Sequence, residues 1–439
     1  MTKGFATIPE AGAYVLADAR LPAAAVEGFD ARVVEGLLRA DLVVEDGRIA
    51  RLSPPNSETG LPVVDLDGGQ VWPAFVDLHT HLDKGHIWPR AANPDGSFDG
   101  ALAAVHADRE ANWSAEDVRR RMDFALRCAC AHGTRLIRTH LDSLPPQETI
   151  SWPVFAEMRA AWAGRIELQA VSLFPVDMVF DAAAYDAIVD TTAAHGGVLG
   201  GVTFMIPELD AALDRLFETA AARGLDLDFH VDETQDPAAT SLRSIAEAAL
   251  RHRFEGRVAV GHCCSLARQD EAEAARTIER VAEAGITVIS LPMCNVYLQD
   301  RAPGRTPRSR GVTLLKEMAA AGVNTVVASD NTRDPFYAYG DLDPMEVFRE
   351  AVRIIQLDHP IDAAPALVTR NAANAARRPD LGLIRAGDPA DLVLFRARRW
   401  TELLARPQAD RTVIRAGRAI DRTLPDHREL DDLFGDLDG

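Results

Sequence analysis

Two histidines one residue apart, His79 and His81, close the apolar run Ala74-Phe75-Val76-Asp77-Leu78. In a strand, alternate side chains share a face, so both imidazoles project together from its end. Such a pair can hold one metal ion if other ligands come from elsewhere; taken alone it also fits a surface pair or a satisfied core pair. Three later stretches repeat the pattern of a chemical group behind an apolar strand. Leu225-Asp226-Leu227-Asp228-Phe229 ends in His230-Val231-Asp232-Glu233, Val258-Ala259-Val260 in Gly261-His262, and Thr325-Val326-Val327-Ala328 in Ser329-Asp330-Asn331. Each instance has an ordinary alternative, because an Asp behind a strand is often a helix cap. Four in strand order are a stronger signal. His79, His81, His230 and Asp330 supply three neutral nitrogens and one carboxylate, a donor set suited to Zn²⁺, Fe²⁺ or Mn²⁺. The remaining position would take a water whose pKa falls toward about 7.

The elements that must position these groups follow from the pattern between residues 74 and 380. Candidate strands at 134–139, 167–173, 197–204, 226–229, 258–260, 287–291 and 325–328 alternate with Ala-, Glu- and Arg-rich helical runs such as 114–132, 211–223, 241–252 and 269–284. With the first strand, that makes eight βα units, the number a (β/α)8 TIM barrel needs, and barrel active sites lie at the C-terminal strand ends. An open doubly wound sheet is the alternative, but no G-x-G-x-x-G follows the first strand. Outside the barrel the pattern is β. Asp46-Gly47 is a two-residue turn between the apolar runs of residues 41–52, and residues 412–420 read as a second hairpin. Residues 1–73 and 381–424 are therefore expected to form one small β-sandwich domain from both chain ends. Residues 425–439 form an acidic tail, a solvated extension unless Leu430 and Phe434 dock.

Composition excludes several classes. The 439 residues carry 47 Lys+Arg against 66 Asp+Glu, a net charge of −19, which argues against nucleic acid or an anionic membrane as partner. Five cysteines, an odd number, form no disulfide framework, and a reducing cytoplasm suits them. The first residues lack a long apolar run, and no segment approaches the roughly 18 residues of a membrane span. A homo-oligomer is among the options. The zinc-deaminase pattern H-x-E with P-C-x-x-C is absent: His427-Arg428-Glu429 fits its first half, but nothing fits its second.

The markers His79-Thr80-His81-Leu82-Asp83, Arg138-Thr139-His140-Leu141-Asp142, His230-Val231-Asp232-Glu233, Gly261-His262, Ser329-Asp330-Asn331 and Arg385-Ala386-Gly387-Asp388-Pro389-Ala390-Asp391-Leu392 together resemble the amidohydrolase superfamily, in its cytosine deaminase-like branch. The resemblance runs from Asp41 to about Ile420. It implies a barrel with a flanking β domain and hydrolysis at a carbon attached to nitrogen. It makes His79, His81, His230 and Asp330 the metal ligands and Glu233 the proton shuttle, His262 the group that orients the attacking water and tetrahedral intermediate, and Asp330 a further proton acceptor. Ammonia leaves poorly unless protonated, so a carboxylate must pass the water's proton on; a charge at a helix start is the plainer reading of Glu233. Binuclear relatives bridge two metals with a lysine from a middle strand. The matching stretch Leu136-Ile137-Arg138-Thr139-His140 ends without one, which favours a single divalent ion.

The sequence departs from the cytosine deaminase pattern at two places. Val176 follows Phe174-Pro175 where a substrate-reading Gln is expected, and Asn331 follows Asp330 where an acid is expected. A site built for one hydrogen-bond pattern rejects others strongly, so a pyrimidine, a pterin or an s-triazine are all candidate substrates. The His-Thr-His-x-Asp-Lys start and the Ala-Ser-Asp-Asn run are similar to s-triazine aminohydrolases. Lys84, Trp88, Val176, Asn331 and Phe336 are the candidate substrate contacts, with Trp88, Phe336 and Tyr337 able to stack on a flat ring. The expected activity is hydrolytic deamination of a small N-heterocycle. Ring-opening of a cyclic amide and removal of an alkylamine are the alternatives, and a scaffold that has lost catalysis is disfavoured by the complete set of groups.

Overall fold

In the computed structural model, which describes residues 4–10 and 12–435, the chain divides into two compact units. One comprises Leu78–Leu126, Ile137–Asp341 and the segment from Asp426 onward; the other comprises the chain up to Asp77, Arg127–Leu136 and Leu342–Pro425.

Eight parallel strands form the barrel: Phe75–Thr80, Thr134–Asp142, Glu167–Leu173, Leu199–Thr203, Leu227–Val231, Val258–His262, Thr287–Ser290 and Asn324–Val327. They match the eight predicted strands to within a few residues. The first three are hydrogen-bonded in order, as are the last five. Single bridges Val171↔Val198 and Pro175↔Val202 join the two sets, and Thr80↔Asp330 closes the ring. The closing bond, from Asp330 N–H to the His79 carbonyl at 2.8 Å, links two candidate ligand residues through their backbones.

The helices between the strands bury one apolar stripe each. Helix Leu209–Arg223 turns Leu209, Ala212, Leu213, Leu216, Phe217 and Ala220 inward, the i, i+3, i+4, i+7 spacing of a helix laid on a sheet. Phe217 meets Phe229 of the fifth strand at 6.4 Å between ring centres; burying such a side chain contributes about 1.5–3 kcal/mol. Gly224, at φ 66°, ends this helix in the left-handed conformation that only a residue without Cβ adopts freely. Helix Ser241–Arg251 is held differently. Both oxygens of Asp232, just past the fifth strand, accept from the Ser241 and Leu242 amides at 3.0 Å, which ties the helix start to the strand end.

The β strands of the second unit, expected as a small β-sandwich, join one continuous sheet of eight. Its backbone is the antiparallel pair Ala13–Pro22 with Leu37–Glu45, and Gln70–Pro73 brings in Leu392–Phe395 and Thr412–Arg415 from the far end of the chain. Register breaks between Leu16 and Ala19 and between Val43 and Val44 mark bulges, which bend a sheet so that one face can wrap its own core. That core gathers Tyr14, Leu16, Leu21, Leu38, Leu42, Ile49, Leu392 and Ile414. The predicted Asp46-Gly47 hairpin is present, with φ of 49° and 78° at the turn as a type I′ geometry requires. Of the acidic tail, Leu430 is buried, within the short 3-10 helix His427–Leu433; residues 436–439 lie outside the described residues, as do the first three. Among the described residues no helix is long and apolar enough to cross a membrane, and all five cysteines are free.

Candidate active site

The predicted ligand residues meet at the C-terminal mouth of the barrel. His79 Nε2 lies 3.1 Å from His230 Nε2, and His230 Nε2 lies 3.2 Å from His81 Nε2. Asp330 Oδ1 is 3.2 Å from His81 Nε2 and 3.6 Å from His79 Nε2. All four residues are buried. Burial, reinforced by neighbouring cationic groups, holds the three imidazoles well below the usual histidine range, so they are neutral nitrogen donors.

These spacings test whether the residues fit a metal ion. Metal–nitrogen bonds of about 2.0–2.1 Å in a tetrahedral site put donor atoms about 3.3–3.4 Å apart. The observed separations bracket that value. Three imidazole nitrogens converging with a carboxylate oxygen, away from water, are an arrangement that a cation reconciles and that hydrogen bonds among acceptors do not. The residues therefore fit a divalent ion. His262 approaches the same centre: it forms with His79, His230 and Asp330 a group whose ligand atoms all lie within 4.8 Å of one another.

Local backbone geometry explains how these side chains are aimed. Asp232, His262 and Asp330 adopt φ of 47°, 70° and 65°, the left-handed region that costs non-glycine residues about 1–3 kcal/mol each. The chain turns sharply there, immediately past each strand. Gly261 is required for a different reason. A Cβ at that position would stand 2.7 Å from His79 Cε1, so any side chain would displace the ring.

Glu233 and His262 flank the ligand group. Glu233 is nearly buried, with Oε1 3.4 Å from His262 Nδ1. Burial and the adjacent Asp330 push its carboxyl well above the usual range, against a smaller opposing pull from Lys84. A carboxyl so raised can hold a proton near neutral pH and release it again, as an acid–base group must. Burial drops His262 to about 3, so its ring is neutral. Below the ligands, His140 and Asp228 form a second buried layer. The His140 ring is 4.0 Å from His79, and Asp228 is held by Arg138 at 3.0 Å.

A cavity of about 560 Å³ opens onto this centre, within the range of about 300–1,000 Å³ usual for small-molecule sites. His81, His230, Glu233 and His262 lie at its floor; Lys84, Asn331 and Phe336 line it, as the sequence predicts. Trp88 and Val176 do not. Trp88 is half-buried with its backbone amide bonded to the Arg333 carbonyl, and Val176 packs in the helix-to-sheet core, leaving Phe174 and Pro175 to face the cavity. Tyr337, the other stacking candidate, packs against Tyr297 and Tyr339 instead. Asn331 does not present a free amide: its Nδ2 donates to Asp334 Oδ2 at 2.8 Å, while Asp334 Oδ1 accepts the Phe336 amide and so sets that ring.

Sequence reasoning missed one wall of the cavity. Helix Phe98–Asn112, absent from the helical runs read in the sequence, turns Phe98, Leu102, Val105, His106 and Arg109 toward it. Its apolar stripe is weak, but Ser97 caps its start, and that signal was available. Arg109 and Lys84 both donate to Asp142, at 3.1 and 2.7 Å, so two cations and one anion sit on this wall. The stretch ending Arg138-Thr139-His140, taken as a middle strand, is the second barrel strand; the fourth, Leu199–Thr203, also lacks a lysine.

Fold and site together define a metal-dependent hydrolase of the (β/α)8 type. The sequence pattern of the Amidohydrolase family matches residues 62–165 and 166–421, and the chain belongs to that family, whose members hydrolyse carbon–nitrogen bonds. It is 61% identical, over 99% of its length and 100% of the relative's, to the pterin deaminase of Rhizobium rhizogenes. Among solved structures it is similar to 5-methylcytosine deaminase from Klebsiella pneumoniae liganded with 5-fluorocytosine, with TM-score 0.80, 24% identity and coverage of 94% of this chain and 98% of that one. N-isopropylammelide isopropylaminohydrolase from Burkholderia multivorans gives TM-score 0.74 and 25% identity over 93% and 98%.

Proposed function

We propose that the protein is a mononuclear metal-dependent deaminase of a pterin, converting the ring carbon that bears the amino group to a carbonyl with release of ammonia. The observation that carries this reading is that two of the four converging donors, His81 and His230, face one cavity together with Glu233 and His262. The 61% identity to a pterin deaminase along the whole chain chooses among heterocycles, and the cavity has room for two fused rings.

His79, His81, His230 and Asp330 are the proposed ligands of one divalent ion, zinc, iron or manganese. When bound, the ion supplies Lewis acidity that makes a water acidic enough to attack near neutral pH. Glu233 carries the first proton that water loses to a ring nitrogen, and then carries the second, released from the added hydroxyl as the carbonyl forms, to the amine, which departs as ammonia. His262 steadies the oxygen of the tetrahedral species, and Lys84, Asn331 and Phe336 place the ring, Phe336 by stacking and Lys84 by donating to a ring acceptor. Water enters, ammonia leaves, and no other reactant is needed. The cytoplasm is the proposed compartment, on the strength of five free cysteines.

The test is ammonia release by metal-loaded protein from pterin, cytosine, isocytosine and amino-s-triazines. Pterin is expected to be the best substrate by at least tenfold in kcat/KM. No ammonia from pterin, with one ion bound per chain, would overturn the reading, and an alkylamine or a ring-opened acid in the product would identify the alternative chemistry.

A further inference from the structure

Residues 426–435 belong to the same compact unit as most of the barrel and are docked on it by named contacts. Arg120 of helix Ala115–His132 makes a two-pronged pair with Asp432, at 2.6 and 2.7 Å, and also donates to the Glu429 carbonyl at 2.7 Å. Asp426 and Glu429 close a capping box that fixes the start of the short helix His427–Leu433. Leu430 of that helix is 3% exposed. At the far end the Leu433 carbonyl accepts from Arg90 at 3.2 Å, and the Phe434 ring lies 5.9 Å from the same guanidinium.

Arg90 is the hub of a network that runs from this segment to the cavity wall. Its largely buried guanidinium pairs with Asp108 of the wall helix Phe98–Asn112, at 2.8 and 3.0 Å, and with Asp117, at 2.5 and 3.0 Å. Asp108 adjoins Arg109, the cation that donates to Asp142. Asp117 also accepts from Arg121, whose Nη1 donates to the Asp83 and Gly85 carbonyls at 2.6 and 3.0 Å. Those two carbonyls flank Lys84. Both branches therefore end on the backbone that carries a cation of the cavity wall. The same loop is tied to the turn bearing Phe336, since the His86 and Trp88 amides donate to the Thr332 and Arg333 carbonyls at 3.0 and 2.8 Å. Charged hydrogen bonds of this kind hold their geometry best away from water, and Leu430 and Phe434 are the apolar groups that the segment brings to it.

We propose that residues 426–435 act as a positioning strap: closed over Arg90, they fix the loop after the first barrel strand and the wall helix, and so hold Lys84 and Arg109 at the cavity. Neither Arg90 nor any described residue of the strap lines the cavity itself. The effect therefore falls on substrate binding, through Lys84, and leaves the ligand group and Glu233 in place. Lys84 as a substrate contact rests on the pterin reading; the mechanical link from strap to wall does not.

The link is tested in the full-length zinc-loaded chain by Leu430→Asp combined with Phe434→Ala, read by amide hydrogen exchange and by kinetics. Exchange is expected to quicken at least tenfold across residues 84–113 as well as 426–435, with the barrel strand Leu227–Val231 unaltered and one zinc retained per chain. KM for pterin should rise roughly tenfold to a hundredfold, the worth of one charge-assisted hydrogen bond, with kcat within about threefold, the signature of lost uniform binding. Unchanged exchange at 84–113, an unmoved KM, or a fall in kcat in its place overturns the inference. Should the variant fail to fold, coupling is read in the other direction, because it must be reciprocal. Pterin added to zinc-loaded Glu233→Gln is expected to slow exchange across 426–435 together with 84–113, and protection confined to 84–113 overturns the strap. Absence of ammonia release from pterin by wild type would overturn the substrate reading alone, and the exchange of the double variant would still decide the strap.

Discussion

Replacing Glu233 with Gln removes one charge and almost no volume, so its effects separate chemistry from packing. The proposed carboxylate moves two protons in each turnover, and the other carboxylate nearby, Asp330, belongs to the ligand group. General acid–base catalysis contributes about 10²–10⁴-fold for one positioned group. Losing a carrier with no understudy should therefore cost about 10³–10⁴-fold in kcat, or about 4–5.5 kcal/mol of barrier at 1.36 kcal/mol per factor of ten. The same substitution should not cost stability. Burial and Asp330 already oppose the charged form of Glu233, so a neutral amide relieves an unfavourable ionisation, and the Tm should hold or rise. Ammonia release, thermal unfolding and metal content on one preparation make the test. A kcat within tenfold of wild type, at full metal occupancy, would remove Glu233 from the proton path. A lowered Tm with reduced metal content would show instead that the carboxylate serves structure or binding.

His81→Ala should weaken zinc at least a hundredfold while the fold persists, because it deletes one donor of four; chelator competition measures it, and unchanged affinity would take His81 out of the ligand set. Chelation of the parent protein should abolish ammonia release, and readded divalent ion should restore it. Away from the site, Arg411 donates to Asp343 at 2.7 and 2.5 Å, and both are largely buried. Arg411→Met should destabilise by about 3–5 kcal/mol in denaturant titrations, the usual cost of stranding a buried charge. Burial alone would raise the Asp343 carboxyl, but Arg411 and His132 overcome it and hold the group far below its ordinary value. Its folded pKa is thus below the unfolded one of about 3.9. The pair's contribution is complete above that unfolded value and drains away as pH falls beneath it. Stability that is flat from pH 6 to 2 would contradict the assignment.

The barrel was legible because its strands are continuous apolar runs separated by helical stripes, and because the proposed metal ligands follow directly behind those strands. His79 and His81 could be aimed from a period of two alone, and His230 and Asp330 from their place at strand ends. What the sequence hid was set by contacts between distant segments. Val176 looked like a cavity residue by its place after Phe174-Pro175, yet the 3-10 helix Val176–Phe180 turns it into the core. Trp88 is amphipathic enough to line either a pocket or a loop, and backbone bonding decided for the loop. Arg109 lies on a helix with little apolar periodicity, so nothing in its neighbourhood marked the face it would show. The sheet of the second unit follows the same division. Its hairpins were readable from Asp46-Gly47, but their joining into one sheet depends on Gln70–Pro73 pairing with Leu392–Phe395 from the far end of the chain.

That sheet also sets a timetable for synthesis. Gln70–Pro73 leaves the ribosome with one edge unpaired, and its partner, Leu392–Phe395, follows 319 residues later. At about 5–20 residues per second the wait is roughly 16–64 s. During that interval an apolar strand edge, with Val71 and Trp72 on it, is available to any other nascent chain. All eight barrel strands, the last of them Asn324–Val327, are synthesised before that pairing can form, so the sheet of the second unit must wait longer than the barrel ring. Slowing translation between residues 73 and 392 should therefore increase aggregation more than slowing it anywhere after 415.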